Sequence, residues 1–437
     1  MEETILVDLF HEKLKLPSDS LEKWLKEYLA IELNCLPERN PRVYIICENK
    51  DCDSQQEGAN HSLLKRCPLL KDRAMVLGYP SLADALYNFK FQIDEHDLVT
   101  VKILTPWWRK AMLQEYLSLL FTAVYQFSFL HLSCSPQDEN VANAMDEIPP
   151  TAQQSVQVNA EVSTFLRRLP GRGGDITILQ SSVIPDDCFL HGFTTRAGGI
   201  SYIPTLSSLN MFCSSKRKDP RAVIEENICR VAEKSGFNPK SYYLVKVNHA
   251  NDVWVMDKTE PESYDGIVTN RRGVTIAAPG ADCIPLLFAD PVKKVIGAAH
   301  SGWKGTITGV AMETVNAMVK EYASQIKDIR VVLGPSVGPC CLQLQKESAM
   351  DFHAVNPSCV KDLNMPKPHV DIRLTTRILL ERGGIHPENI QDIALNNGHD
   401  EKQPVQLCTS CLPDMFYSHM RDGVNFGIQI GFISIKE

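Results

Sequence analysis

The stretch Ala277–Thr306 constrains the fold of this chain more strongly than any other part of its sequence. It holds two apolar runs, Ile284–Phe288 and Val295–Ala299, which are separated by a proline-containing turn and are typical of buried β-strands. Cys283 directly precedes the first run, and His300 directly follows the second. If the two strands are neighbours, the turn between them brings this thiol and this imidazole to the same end of a sheet.

Length and charge limit the classes of protein that the chain can belong to. Its 437 residues exceed the size at which one hydrophobic core stops growing, so two or more domains are expected. The composition, 44% hydrophobic and 22% charged, is that of an ordinary globular protein. The formal net charge of −8, with no basic run longer than Lys216-Arg217-Lys218, disfavours a nucleic-acid partner.

The fourteen cysteines raise the question of disulfides, but the acidic N-terminus lacks the basic and apolar regions of a signal peptide. We therefore expect reduced thiols and a cytoplasmic protein. The most apolar stretch, Tyr116–Leu132, is shorter than the roughly 20 residues of a membrane span and contains Gln126 and His131. We expect no membrane span, and we interpret this stretch as the end of a buried helix that begins near Pro106.

Changes in composition divide the chain. Residues 1–132 contain enough helix and strand patterns for a smaller N-terminal α/β domain of unknown role. Residues 133–157 are rich in Pro, Ser, Gln and acidic residues and lack periodicity, which predicts a flexible linker. Residues 175–437 mix short apolar strands with amphipathic helices, one of them over Pro220–Ser235, and this mixture predicts a layered α/β sandwich.

Three residues with metal-binding side chains lie at strand ends in this C-terminal part. His249 follows the alternating run Tyr242–Val247, and Cys283 and His300 flank the central strands. Two histidines and one cysteine would leave one position of a tetrahedral zinc ion open, and zinc can lower the pKa of a water there to about 7. Without a metal, the same residues could act as a cysteine nucleophile with a histidine base.

The loop Ser301–Thr306 runs from a strand into a helix and is a candidate substrate site. Gly302 lets the backbone approach a ligand, the N–H groups at the helix start up to Thr306 attract anions, and Lys304 adds a positive charge. Arg196, on a second glycine-rich loop, is a further candidate contact. The structural alternatives are a simple turn around a packed tryptophan for the first loop and a surface salt bridge for the arginine.

Two cysteine pairs are less informative. Cys408 and Cys411 have the C-x-x-C spacing of redox and zinc motifs, but no second C-x-x-C pair accompanies them. We interpret that pair as structural. The adjacent Cys340 and Cys341 are expected to be buried.

A set of ordered motifs over residues 175–437 resembles the multicopper polyphenol oxidase laccase domain family. The motifs are His191-Gly192-Phe193-Thr194-Thr195-Arg196-Ala197-Gly198-Gly199, Asn248-His249, Asp265-Gly266-Ile267-Val268-Thr269, Ala281-Asp282-Cys283, Ala299-His300-Ser301-Gly302-Trp303-Lys304-Gly305-Thr306 and Gly334-Pro335-Ser336-Val337-Gly338. The resemblance implies a sandwich related to Cys-His hydrolases and a metal site at His249, Cys283 and His300. It also implies a purine nucleoside enzyme, which combines adenosine deamination with phosphorolysis of adenosine, inosine, guanosine and methylthioadenosine.

The sequence argues against the oxidase in the family's name. A multicopper oxidase needs about ten histidines in closely spaced pairs, whereas this chain has twelve histidines and no H-x-H pair. We therefore expect zinc rather than copper. The chain also departs from the family where Lys304 replaces an arginine. Near the C-terminus, in Ser418–Arg421 and Gly427–Gln429, two arginines of the family pattern are missing.

The sequence therefore predicts a zinc-dependent purine nucleoside phosphorylase with adenosine deaminase activity, whose partners are purine nucleosides and phosphate. Asp282, next to Cys283, is a candidate proton shuttle, with a loop-holding role as its alternative. Two rival hypotheses remain open. One is a metal-independent Cys-His amidohydrolase with Cys283 as nucleophile. The other is a non-catalytic scaffold that binds metabolic enzymes through its N-terminal region.

Overall fold

The computed structural model describes residues 3–10, 43–48, 74–131, 151–395 and 405–437. The chain divides into two compact units. The first comprises Met1–Leu169 and Cys213–Val223, and the second comprises Pro170–Phe212 and Ile224–Glu437. Among the described residues, no helix is both long and apolar enough to cross a membrane.

The first unit is built on a parallel sheet with the strand order β3-β2-β1-β4-β5. Its strands are β1 (Glu3–Leu9), β2 (Val43–Glu48), β3 (Ala74–Tyr79), β4 (Thr100–Thr105) and β5 (Gln126–His131). Its described helices are α1 (Leu82–Glu95), α2 (Lys110–Leu120) and α3 (Ala152–Arg168). Parallel strands need crossover connections, and α1 and α2 lie in the connections from β3 to β4 and from β4 to β5.

Two predictions for this unit are wrong in part. The single helix expected from Pro106 to Leu132 ends at Leu120, and its last residues form strand β5 instead. The predicted linker also extends too far, because α3 begins at Ala152 and is capped by Thr151. The remainder of that linker, residues 133–150, lies outside the described part of the chain.

The second unit contains fifteen described strands and six described helices. The strands are β6 (Ile178–Leu179), β7 (Phe189–Thr194), β8 (Tyr242–Leu244), β9 (Val253–Val255), β10 (Gly266–Thr269), β11 (Thr275–Gly280), β12 (Ile284–Asp290), β13 (Val295–Ser301), β14 (Arg330–Leu333), β15 (Val360–Lys361), β16 (His369–Val370), β17 (Ile390–Asp392), β18 (Ala394–Leu395), β19 (Val405–Gln406) and β20 (Gln429–Ile435). The helices are α4 (Arg221–Ser235), of which the part from Ile224 belongs to this unit, α5 (Trp303–Thr308), α6 (Val310–Tyr322), α7 (Lys346–Val355), α8 (Ile372–Arg382) and α9 (His419–Asp422).

Two mixed sheets form the centre of this unit. One has the order β17-β14-β12-β13-β10-β9, and the other has the order β6-β7-β20-β11-β8. Their inner faces share one apolar core, in which Leu287 and Ile296 of the first sheet join Ile276 and Ile433 of the second. Helix α6 covers the outer face of the first sheet, and α4 covers that of the second. These four layers confirm the predicted α/β sandwich.

The central pair β12–β13 positions the candidate site. The two strands are antiparallel and in register, with Pro285 opposite His300. All seven residues of each strand are buried, and the apolar runs Ile284–Phe288 and Val295–Ala299 predict this for most of them. Cys283 immediately precedes β12, and His300 lies near the end of β13 rather than just beyond it. The register therefore places the thiol and the imidazole at one end of the sheet.

Candidate metal centre

His249, Cys283 and His300 converge at this sheet end. Their ligand atoms, two imidazole nitrogens and one sulfur, all lie within 4.8 Å of one another. The rings of His249 and His300 are perpendicular, with centroids 5.0 Å apart. Two nitrogens and one sulfur are the donors that zinc prefers, and three protein ligands leave a tetrahedral ion one open position. The three residues present can therefore hold a metal ion.

Local backbone conformation directs two of these ligands. His249 has a φ of 62°, and Asp282, directly before Cys283, has a φ of 89°. Both values lie in the left-handed region, which residues other than glycine rarely adopt. The N–H of Ala250 donates to the Asn248 side chain over 3.0 Å, which closes a tight turn around His249. Hydrogen bonds from other segments hold each of these strained positions.

Asp265 is the residue that organises the histidines, and the sequence did not single it out as a site residue. Its Oδ1 atom lies 2.8 Å from Nδ1 of His300. Its Oδ2 atom accepts the backbone N–H groups of Asn248 and Ala250, on either side of His249, over 3.1 and 3.0 Å. One buried carboxylate therefore orients one ligand side chain and fixes the backbone of another, as partners of metal-binding histidines commonly do.

The charges of the trio are coupled. Burial alone raises the pKa of the Cys283 thiol, but the charge of His300 and hydrogen bonds from both imidazoles outweigh it and lower the pKa to about 6. Burial lowers the pKa of His300, whereas Cys283 and Asp265 raise it to about 9. Without a metal the pair therefore favours a thiolate beside an imidazolium. A thiolate is both the metal-binding and the nucleophilic form of cysteine.

The structure gives Asp282 the contacts of a loop-holding residue. Its Oδ1 accepts the hydroxyl of Thr409 and its Oδ2 accepts the backbone N–H of Met420, both over 2.8 Å. Its own carbonyl accepts the N–H of Val337 over 2.9 Å. A carboxylate with both oxygens engaged in this way is better suited to fixing the backbone before Cys283 than to carrying protons, which favours the structural alternative.

Arg196, a predicted substrate contact, is engaged by backbone carbonyls. Its guanidinium donates to Ser207, Pro413 and Pro204 over 2.8, 2.7 and 2.9 Å, and it stacks over the ring of Tyr417 at 4.8 Å. A planar group with several fixed donors suits this role. The arginine therefore joins two loops through backbone carbonyls. These contacts differ from the surface salt bridge that we considered as its alternative role.

Replacing Arg196 with lysine tests the structural role. We expect the free energy of unfolding to fall by about 1–2 kcal/mol, because one ammonium cannot serve three carbonyls. The substrate KM should stay within about twofold of the native value. Denaturant unfolding and steady-state kinetics measure the two effects. A raised KM at unchanged stability would instead support the prediction that Arg196 contacts the substrate.

The residues of the Ser301–Thr306 loop have different surroundings. Thr306 is buried, and its hydroxyl pairs with that of Ser301 at 2.9 Å. Lys304 is exposed, and its ammonium lies 5.4 Å from the ring centre of Trp303. Helix α5 spans only six residues, so the anion-binding dipole that we expected at its start is weak. Lys304 is the one candidate substrate contact of this loop whose side chain is exposed.

Gly302 packs directly against the trio. A Cβ atom added to it would lie 3.1 Å from Sγ of Cys283 and 3.6 Å from Cδ2 of His249. Gly302→Ala should therefore lower metal content and activity by roughly tenfold, short of the 10²-fold that a full 1 Å displacement can cost. Metal analysis and kinetics test this, with Thr308→Ala on the exposed side of α5 as the control. Unchanged metal content in the alanine variant would contradict it.

The structure also brings together the two cysteine pairs. The sulfurs of Cys340, Cys341, Cys408 and Cys411 all lie within 4.8 Å of one another. Cys340 is exposed and Cys341 half-buried, so the expectation that both are buried is wrong. Cys408-x-x-Cys411 has its second pair in these two adjacent cysteines, which a search for a repeated C-x-x-C motif cannot find.

An α/β sandwich that gathers two imidazoles and a thiol at one sheet end is the architecture of a candidate metal-dependent or Cys-His enzyme. Residues 190–436 match the family model described as multi-copper polyphenol oxidoreductase laccase, and the chain belongs to this family.

Three comparisons place the chain among its relatives. Purine nucleoside phosphorylase LACC1 of Mus musculus is 49% identical over 445 residues, which cover 100% of both chains. Adenosine deaminase RL5, from an unknown prokaryotic organism, is 24% identical over 54% of this chain and 91% of its own. The crystal structure of YlmD from Geobacillus stearothermophilus is 27% identical, covers 57% of this chain and 92% of that one, and has a TM-score of 0.50.

Proposed function

We propose that this protein is a zinc-dependent purine nucleoside phosphorylase that also deaminates adenosine. Its substrates would be adenosine, inosine, guanosine and methylthioadenosine, with phosphate as co-substrate. Phosphorolysis releases the free base and ribose-1-phosphate or its methylthio analogue, and deamination of adenosine releases inosine. The names of the relatives support the two reaction classes.

The single observation that carries the proposal is the convergence of His249, Cys283 and His300 to within 4.8 Å. A bound zinc ion would supply a Lewis acid with an open position, able to activate water and to stabilise negative charge. Copper oxidase chemistry is not proposed. Among the described residues, the groups of three or more side chains able to hold a metal are this trio and the four-cysteine cluster, and neither contains an H-x-H pair.

The protein's own residues prepare the site for substrate. Because Nδ1 of His300 donates to Asp265, its Nε2 atom is free to face Cys283 and a ligand. Gly302 leaves room beside the sulfur, and Asp282 fixes the turn that presents it. Lys304 is placed to offer a positive charge to phosphate from the solvent side.

The Cys-His pair favours one second candidate. Without a metal, the site resembles a catalytic triad. Cys283, whose pKa is lowered, would be the nucleophile, His300 would be its base, and Asp265 orients the His300 ring through Nδ1. That arrangement fits a metal-independent amidohydrolase. A non-catalytic scaffold has no comparable support. A protein that only binds other proteins needs neither the three converging ligand side chains nor a carboxylate that orients one of them.

The deciding experiment incubates the purified full-length chain with adenosine, in the presence and absence of phosphate. Adenine forms by phosphorolysis of adenosine and inosine by its deamination, whereas ribose-1-phosphate forms by phosphorolysis of either nucleoside. We expect both products with phosphate and inosine alone without it. Prior removal of metal by a chelator should abolish both, and added zinc should restore them.

The same experiment separates the alternatives. Full activity in chelator, together with covalent labelling of Cys283 by a thiol reagent, would replace the proposal with the metal-independent hydrolase. The absence of all three products from a folded, metal-loaded protein would leave only the scaffold.

A further inference from the structure

We propose that Cys340, Cys341, Cys408 and Cys411 form a second metal site, a structural tetrathiolate zinc centre. The family resemblance does not assign it, and it is independent of the proposed nucleoside chemistry. Its four ligands come from two segments more than 60 residues apart, so one ion would tie the loop after β14 to the loop after β19.

The sulfur separations match those of a tetrahedral ion. Sγ of Cys411 lies 3.4 Å from Sγ of Cys341 and 3.7 Å from Sγ of Cys340. A zinc–sulfur bond of about 2.3 Å predicts sulfur atoms about 3.8 Å apart around a tetrahedron. A disulfide would require about 2.05 Å. The four thiols therefore have the spacing of ligands around a shared ion rather than that of bonded pairs.

The backbone around the sulfurs is suited to thiolates. The N–H of Gly338 donates to Sγ of Cys408 over 3.3 Å, and a hydrogen bond to a charged sulfur stabilises the form that binds metal. A Cβ atom added to Gly338 would lie 3.3 Å from Sγ of Cys340 and 3.3 Å from Cβ of Cys408. Glycine at this position allows the backbone to approach the cluster closely.

The environment also distinguishes this cluster from a packed core. Cys340 and Cys411 are exposed, Cys341 is half-buried and Cys408 is buried. Three of the four thiols therefore gain less from hydrophobic burial than a core cysteine does, and the exposed ones are open to oxidation. Zinc has no redox chemistry, and a closed Cys₄ set is one of its structural coordination types.

The proposed ion would also support the nucleoside site. Thr409, inside the second ligand pair, donates its N–H to the carbonyl of Ser336 over 3.1 Å and its hydroxyl to Asp282 over 2.8 Å. The N–H of Val337 donates to the carbonyl of Asp282. Both cysteine-bearing segments therefore hold the residue directly before Cys283, and the zinc centre would act as a positioning element for that ligand.

The test isolates the second site in full-length protein. In the double variant His249→Ala, His300→Ala, purified under reducing conditions, elemental analysis should find about one zinc per chain. X-ray absorption at the zinc edge should show four sulfur neighbours at about 2.3 Å. Adding Cys408→Ser and Cys411→Ser should remove this zinc, whereas adding Cys359→Ser, a buried cysteine outside both clusters, should not.

Each outcome decides the proposal. A folded double-histidine variant without zinc, a zinc shell that contains nitrogen or oxygen, or zinc that survives the loss of Cys408 and Cys411 would overturn it. If the cysteine variants do not fold, the absorption spectrum of the double-histidine variant still decides. None of these measurements depends on nucleoside turnover, so the proposed function can fail separately.

Discussion

Replacing Cys283 with serine is expected to remove most of the metal from the proposed centre and to lower both proposed activities by on the order of 10³-fold. A serine hydroxyl remains protonated at neutral pH, so it cannot replace the thiolate as a ligand. The loss should exceed the 10- to 100-fold loss that is typical when a residue hydrogen-bonded to a metal ligand is replaced, because here a direct ligand is removed. Zinc content and kcat/KM for adenosine, with and without phosphate, measure the effect.

Cys359→Ser is the matched control, since it makes the same chemical change at a buried cysteine that belongs to neither cluster. Circular dichroism should show both variants folded. If Cys283→Ser loses activity but keeps its zinc, the sulfur is a nucleophile rather than a ligand. If it keeps both, the proposed centre is wrong.

Asp265→Asn is expected to lower metal affinity and kcat/KM by about 10- to 100-fold. Burial raises the pKa of Asp265, but hydrogen bonds from His300 and the Ala250 N–H, with the charge of His300, outweigh it and hold the pKa below its usual range. The native group is therefore an anion that accepts on both oxygens. An amide has only one acceptor, so it must present an NH₂ group either to His300 or to the two backbone donors.

Asp290→Asn provides the control for this prediction. Asp290 is also fully buried and accepts two backbone N–H groups, but it lies at the other end of β12. Both hydrogen bonds of Asp290 reach its Oδ1 atom, and its buried Oδ2 atom has no hydrogen-bond partner among the described residues. Asp290→Asn should therefore lose less stability than Asp265→Asn, and only Asp265→Asn should lose zinc. A metal titration that finds equal affinity in the two would show that the carboxylate does not position the ligands.

The candidate trio could be predicted from the sequence because each member lies next to a segment with a simple strand pattern. Apolar runs predict β12 and β13, and a short turn predicts that they pair, which fixes Cys283 near His300. Asp265 is different, since an Asp-Gly pair has the appearance of an ordinary turn. Its role depends on contacts with Asn248, Ala250 and His300, 15 to 35 residues away.

The errors in the fold have a similar origin. An apolar stretch does not by itself distinguish a helix from a buried strand, and the expected helix beyond Leu120 is strand β5. The alternating aromatic residues of that segment, Phe127 and Phe129, are the signal that favours a strand. Likewise, 67 positions separate Cys341 from Cys408, and only the folded chain brings them together.

The left-handed conformations of His249 and Asp282 have a consequence for any attempt to make this protein more robust. Each is expected to cost roughly 1–2 kcal/mol relative to glycine. A screen for heat resistance alone would therefore enrich His249→Gly, which relieves that cost and deletes an imidazole. Asp282→Gly would not be enriched, because it would also lose the hydrogen bonds of the carboxylate to Thr409 and Met420. Directed evolution toward durability should thus erode turnover first at His249.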